Sequence, residues 1–173
     1  GNVGIGTSSP LDALHIKSAV TTDYRGNVFV EDTTAMAAGV GGQITFGGKY
    51  KADGSTTEWS GIQGTKANGS DDYSGQIEFK TRKQGAALQT KMTLDADGNV
   101  GIGTSSPSTM LHVENSSGNA SAQLTSGTSG TSYINMGDTG NVDAGQVSYI
   151  NNGDAMAFTA NAAERMRIDS SGT

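Results

Sequence analysis

The chain has 173 residues, a formal net charge of −6 and a sequence pI near 4.7. It contains no cysteine, which excludes disulfides and thiolate metal sites. Its Lys and Arg are scattered, unlike the basic patch of a nucleic-acid surface, and no run approaches the ~18 apolar residues that span a bilayer, so neither nucleic-acid binding nor membrane insertion is expected. Leu, Ile, Val and Phe together make up only 28 residues, below the roughly 20% associated with disorder. Disorder would also want high net charge, whereas here the apolar residues are regularly placed. The 26 glycines widen the unfolded ensemble further. A folded but thin object is expected, one that shares surface with identical neighbours or with the next repeat.

The first stretch, Gly1 to Pro10, recurs letter for letter as Gly98 to Pro107. The two prolines, Pro10 and Pro107, and the two histidines, His15 and His112, share the same offset, which marks a duplication. Two β modules are therefore read, residues 1–97 and 98–173. A third copy is announced where Met166 to Gly172 repeats the pattern of Met92 to Gly98, so the chain reads as a piece of a longer array.

Within the decamer, Val100 and Ile102 alternate with Gly101 and Gly103, which is strand periodicity with one side kept bare. Bare positions admit a close backbone. Ser105, Ser106 and Pro107 break the ladder, and Leu111, His112 and Val113 resume it, as Leu14, His15 and Ile16 do in the first copy. Asp32 to Ala38 has the composition for a turn or two of helix. Gly-Gln followed by an apolar-polar-apolar triplet occurs at Gly42, Gly75 and Gly145, and each is read as a short strand. Residues 49–73 form a variable insert, read as a hairpin arm or loop projecting sideways. Asn151 to Asp154 carries the Asn-Gly of a tight hairpin. The fold class is all-β, with strands of about 3 to 6 residues. Three identical chains around one axis would line a narrow core with layered Val, Ile, Leu and Phe, with glycines where backbones approach.

The phrase Met166 to Gly172, and the decamer followed by Leu111-His112-Val113, resemble repeats common in tail fibres of tailed bacteriophages. In that family such repeats often precede a self-cleaving C-terminal chaperone. The resemblance implies an elongated homotrimeric fibre, located on the virion and extracellular, whose partners are itself, other virion tail proteins and a host surface glycan or protein. It implies a structural shaft or adhesive segment rather than an enzyme. The alternatives are a polysaccharide-degrading tailspike, which would want a long parallel β-helix and an acidic groove, and a bacterial surface adhesin or filament built of the same repeats.

No catalytic or cofactor-binding residue is assigned. The glycines at 98, 101 and 103 run in the wrong order for a dinucleotide fingerprint, and strand packing is their reading. Asp95-Ala96-Asp97-Gly98-Asn99 is similar to the front of a calcium loop but lacks the closing Glu, so an Asp-capped turn is read and no metal is assigned. His15 and His112 face away from their apolar neighbours, toward solvent in preference to a metal on the axis. Asp71 and Asp72 are read as solvated loop charge, and neither histidine has a nucleophile context. The one candidate for recognition is aromatic: Trp59, Tyr50 and Tyr73, in the insert, could stack on a glycan.

Overall fold

A computed structural model describes residues 1–18 and 28–173. The protein is all-β: twelve strands and no helix occur among the described residues. They fall in two compact units, residues 1–120 and 121–173.

In the first unit, β1 (Val3–Ile5) and β2 (Leu14–Ile16) form a parallel pair. A meander follows: β3 (Gln43–Lys49), β4 (Thr56–Lys66), β5 (Gly75–Arg82) and β6 (Leu88–Leu94), each antiparallel to the next. The second decamer then joins this same sheet. Its β7 (Val100–Ile102) runs antiparallel to β6, and β8 (Leu111–Val113) runs parallel to β7 at the edge.

The second unit is a four-stranded meander of β9 (Thr131–Met136), β10 (Gly145–Ile150), β11 (Ala155–Ala160) and β12 (Ala163–Ile168). It repeats the first meander closely. Phe79 opposes Met92 and Phe158 opposes Met166, and directly beyond each pair the register slips by one residue, leaving Lys91 and Arg165 as the bulged positions. The sequence repeat is counted from the decamer, whereas the decamer packs as the last element of the sheet that precedes it.

Parallel strands ordinarily need a crossover of a dozen residues or more. Here residues 103–110 suffice, because two glycines remove side chains that would block the bend. A Cβ on Gly101 would sit 2.5 Å from the Thr104 carbonyl oxygen, and one on Gly103 2.1 Å from that of Glu114, where φ is also +80°. His112 helps fix the bend: its Nδ1 accepts the Ser108 N–H at 3.4 Å, and His15 does the same for Leu11 at 3.2 Å.

Three expectations are corrected. The segment from Asp32 to Ala38 is not helical, because the Asp32 carboxylate accepts both the Thr34 N–H (2.9 Å) and its hydroxyl (2.6 Å), a local turn that competes with a helix. Strands reach 11 residues in β4, well beyond 3 to 6. Gly61 and Gly64 lie inside that strand. Residues 49–73 accordingly contain a central strand hydrogen-bonded on both sides, with only its flanking turns projecting. The hairpin at Asn151 to Asp154 is present as a four-residue loop, with positive φ at Gly153 and Asp154.

Cross-strand partners share a face of a sheet. One face of the six-stranded sheet gathers Ile44, Ile62, Phe79, Met92 and Ile102 in one row, with Ile77, Leu94, Val100 and Leu111 beside it. The opposite face is polar and is held by its own hydrogen bonds. Glu78 accepts from Gln76 Nε2 (2.9 Å) and Thr90 Oγ1 (2.8 Å) and pairs with Lys80 Nζ at 3.0 Å. Lys80 also donates to Gln63, whose Nε2 reaches the Gly41 carbonyl at 2.9 Å. Glu78 is buried within this network, and Thr93, opposite it, is fully buried with its hydroxyl unpaired among the described residues. The only buried apolar side chains among the described residues are Ala155 and Ala157, both in the second unit.

Candidate functional site: an aromatic cleft and an uncovered apolar face

The bulge between β3 and β4 creates the one recognisable cleft bearing a tryptophan. Phe46 opposes Ser60 and Gly47 opposes Glu58, so Trp59 is the extra residue. Bulges re-aim a side chain. Here the indole swings over Gly48, where a Cβ would meet its Cη2 at 2.8 Å, so glycine is needed for the ring to lie down. Tyr50 stands just beyond β3, tied by its N–H to the Ser55 carbonyl at 2.9 Å, with the Lys51 ammonium 5.2 Å from the ring centre. The wall opposite comes from the end of β5 and its turn: Arg82, Lys83, Gln84 and Gly85.

These residues, with Thr57, line a cleft of about 390 Å³. Arg82 is pre-positioned, donating to Glu58 Oε1 at 2.8 Å and, through Nε, to the Ala86 carbonyl at 2.7 Å. The Arg82 guanidinium helps hold the Glu58 carboxyl below its ordinary value, after the larger contribution of its own backbone N–H, which burial opposes. Trp59 and Tyr50 each keep about half their surface open to water. An exposed ring pair beside a cation and amide groups can stack on the apolar face of a sugar and bond its hydroxyls.

The aromatic trio is thus brought together only in part. Tyr73 lies in the turn after Lys66, at the far end of β4, whose last residue is itself about 23 Å from Trp59 at strand rise. It is fully exposed there, beside an ion pair of Lys66 and Asp72 at 2.8 Å. Lys66, then the Ser74 N–H and Asn68, hold the Asp72 carboxyl far below its ordinary range. Asp71 carries no such partner among the described residues.

The remaining candidates resolve into structure. Asp95 caps its turn, accepting the Asn99 N–H at 2.8 Å and the Asp97 N–H at 2.9 Å. Those bonds, the Asn99 N–H foremost, lower its carboxyl against the opposing effect of burial. No cluster of three or more metal-ligating side chains occurs among the described residues.

What sequence reasoning missed is the extent of the uncovered apolar face. Ile44 and Phe46 are each 52% exposed, Leu111 62%, and Ile62, Ile77, Phe79 and Ile102 about 40%. On the second unit, Ile134, Val147, Phe158 and Met166 form the matching row, with Met136, Tyr149, Met156 and Ile168 on the same face. Alternation in each strand was the available signal; only the register shows that every strand turns its apolar side the same way. No family model matches the chain, and a search of curated proteins returns no match.

Proposed function

We propose that this chain is a structural and adhesive segment of a phage tail fibre: a trimeric β-rich shaft that spans distance, acts mechanically rather than catalytically, and carries host-surface contacts. The observation that supports it most is the apolar face of each sheet. Monomeric soluble proteins rarely leave contiguous apolar patches beyond a few hundred Å². A face running across six strands, about 24 Å at the usual strand spacing, needs a cover. Its polar opposite face already carries a hydrogen-bonded network of Glu78, Lys80, Gln63, Gln76 and Thr90, so burial of the apolar face is the large free-energy gain still available, and identical chains supply it symmetrically. The number three and the virion location come from the resemblance of the repeats.

Trp59 and Tyr50 are the proposed glycan contacts, and Tyr73 is dropped from that site because it stands at the other end of β4. A depolymerising tailspike finds no support in the pairing: apart from β1 with β2 and β7 with β8, neighbouring described strands run antiparallel. The test is the solution mass of the chain by light scattering. Three chains per particle are expected; a single-chain or two-chain particle overturns the shaft reading.

A further inference from the structure

The aromatic cleft differs in charge from the chain that carries it. The protein has a formal net charge of −6, yet the residues lining this cleft include Arg82 and Lys83 and no carboxylate. A third cation, Lys51, stands 5.2 Å from the Tyr50 ring centre. The carboxylates adjoining these walls are already engaged: Glu58 Oε1 by Arg82 at 2.8 Å, and Asp53 Oδ1 by the Ser55 N–H at 2.8 Å. A larger cavity, of about 670 Å³ at the other end of β4, has the opposite character: Glu31, Asp32, Asp72 and Asp95 line it, with Lys66 its single cation. Lys66 is about 23 Å from Trp59 at strand rise, more than two Debye lengths at physiological salt. A ligand at Trp59 therefore feels the cations beside it and not the overall sign of the chain.

Two of these cations keep unused donors. Arg82 Nε donates to the Ala86 carbonyl at 2.7 Å and its Nη1 to Glu58 and Thr57, which leaves the two N–H groups of Nη2 without a partner among the described residues. The turn that follows is closed by the Ala86 N–H on the Lys83 carbonyl at 3.0 Å, so guanidinium and turn brace each other. Lys83 is exposed and forms no ion pair among the described residues, whereas Lys66 and Lys80 are held by Asp72 and Glu78. Resting on the glycan reading of this cleft, we infer that its ligand is acidic: a glycan whose stacked residue is a uronic acid. Trp59 and Tyr50 take the apolar face of the sugar ring, and Arg82 Nη2 and the Lys83 ammonium take its carboxylate. A uronate carries that group one bond off the ring, so stacking and charge pairing are met by a single residue of the ligand. Arg82 and Lys83 set against Glu58 leave one positive charge, with Lys51 offset by Asp53, and one carboxylate neutralises it. Hydrogen bonds between ionised partners are about twice as strong as neutral ones, so a neutral hexose would satisfy the rings and offer both cations only the weaker partner.

The test is an array of oligosaccharides in matched sets: uronate-bearing chains, the same chains with each carboxyl reduced to the alcohol, and the same chains phosphorylated at that alcohol. The parent protein should bind the uronate members about tenfold more tightly than the reduced ones, and about 0.5 M NaCl should remove that margin. Lys83→Glu should weaken uronate binding about tenfold, and Lys83→Gln by less. Both positions compared are exposed, so Lys17→Glu makes the same change of charge outside the cleft and should leave binding as in the parent. Equal binding of uronate and reduced chains, tighter binding of the phosphorylated ones, or equal weakening by Lys83→Glu and Lys17→Glu overturns this inference and leaves the glycan reading standing. Failure of the parent to bind any chain removes both.

Discussion

Replacing Gly103 by Ala should cost far more than replacing Gly98, although both glycines have φ near +80°. A non-glycine residue in the left-handed region costs about 1–2 kcal/mol. At Gly98 that is the whole effect, because nothing lies within 4 Å of an added Cβ. At Gly103 the methyl would meet the Glu114 carbonyl oxygen at 2.1 Å, about 1 Å inside tolerable contact, and the offending atom is backbone. The strand must retreat, which strains the bonds from Glu114 N–H to Ile102 O and from Val100 N–H to Met110 O, both 2.9 Å. At about 1 kcal/mol each, these bring the expected loss to about 3–4 kcal/mol. Urea unfolding of both variants at one protein concentration, followed by far-UV circular dichroism, measures the difference. Losses equal within about 0.5 kcal/mol would refute the role given to glycine in the short crossover between β7 and β8.

Other outcomes follow from the same geometry. Glu78→Gln should lower stability by about 2 kcal/mol, since a buried carboxylate with three partners becomes a neutral amide and Lys80 loses its counter-ion. Burial pushes the Glu78 carboxyl up, but Lys80, Thr90 and Gln76 together bring it below the ordinary 4.5. Its contribution is therefore complete above pH 4.5 and is lost as pH falls through the lower folded value, so the variant should flatten that acid limb in thermal melts. Phe79→Lys, which puts a charge at the centre of the apolar face, should shift the light-scattering mass to one chain; an unchanged trimer would show that this face is not the shared interior. Trp59→Ala should abolish binding on a glycan array while Tyr73→Ala leaves it intact, and equal binding by parent and both variants would remove the cleft from consideration.

How much of this was legible beforehand depends on the kind of information each feature needs. The decamer, the capped turn at Asp95 and the hairpin at Asn151 are local, with side chain and backbone partner only a few positions apart, so their residues announce them. The length of β4 was hidden because the glycines and polar residues of 49–73 suggest a loop, whereas Gly61 serves close approach within the strand: a Cβ there would lie 3.0 Å from the Ile44 carbonyl oxygen. Trp59 as a bulge residue was equally hidden, since a register slip belongs to two strands at once and appears in neither alone. Separating Tyr73 from Tyr50 required knowing that the residues between them include an extended strand. The apolar rows were half visible, as alternation strand by strand, and became a single surface only through pairing.

The phase difference between repeat and sheet bears on how pieces of this chain can be cut and rejoined. Excision at Gly98, where the letters begin again, would strip β6 of its outer partner β7; excision after Val113 would leave six strands intact and carry the bent crossover with them. Shuffled arrays spliced at the second place should inherit whole sheets, and those spliced at the first should inherit raw margins seeking a neighbour.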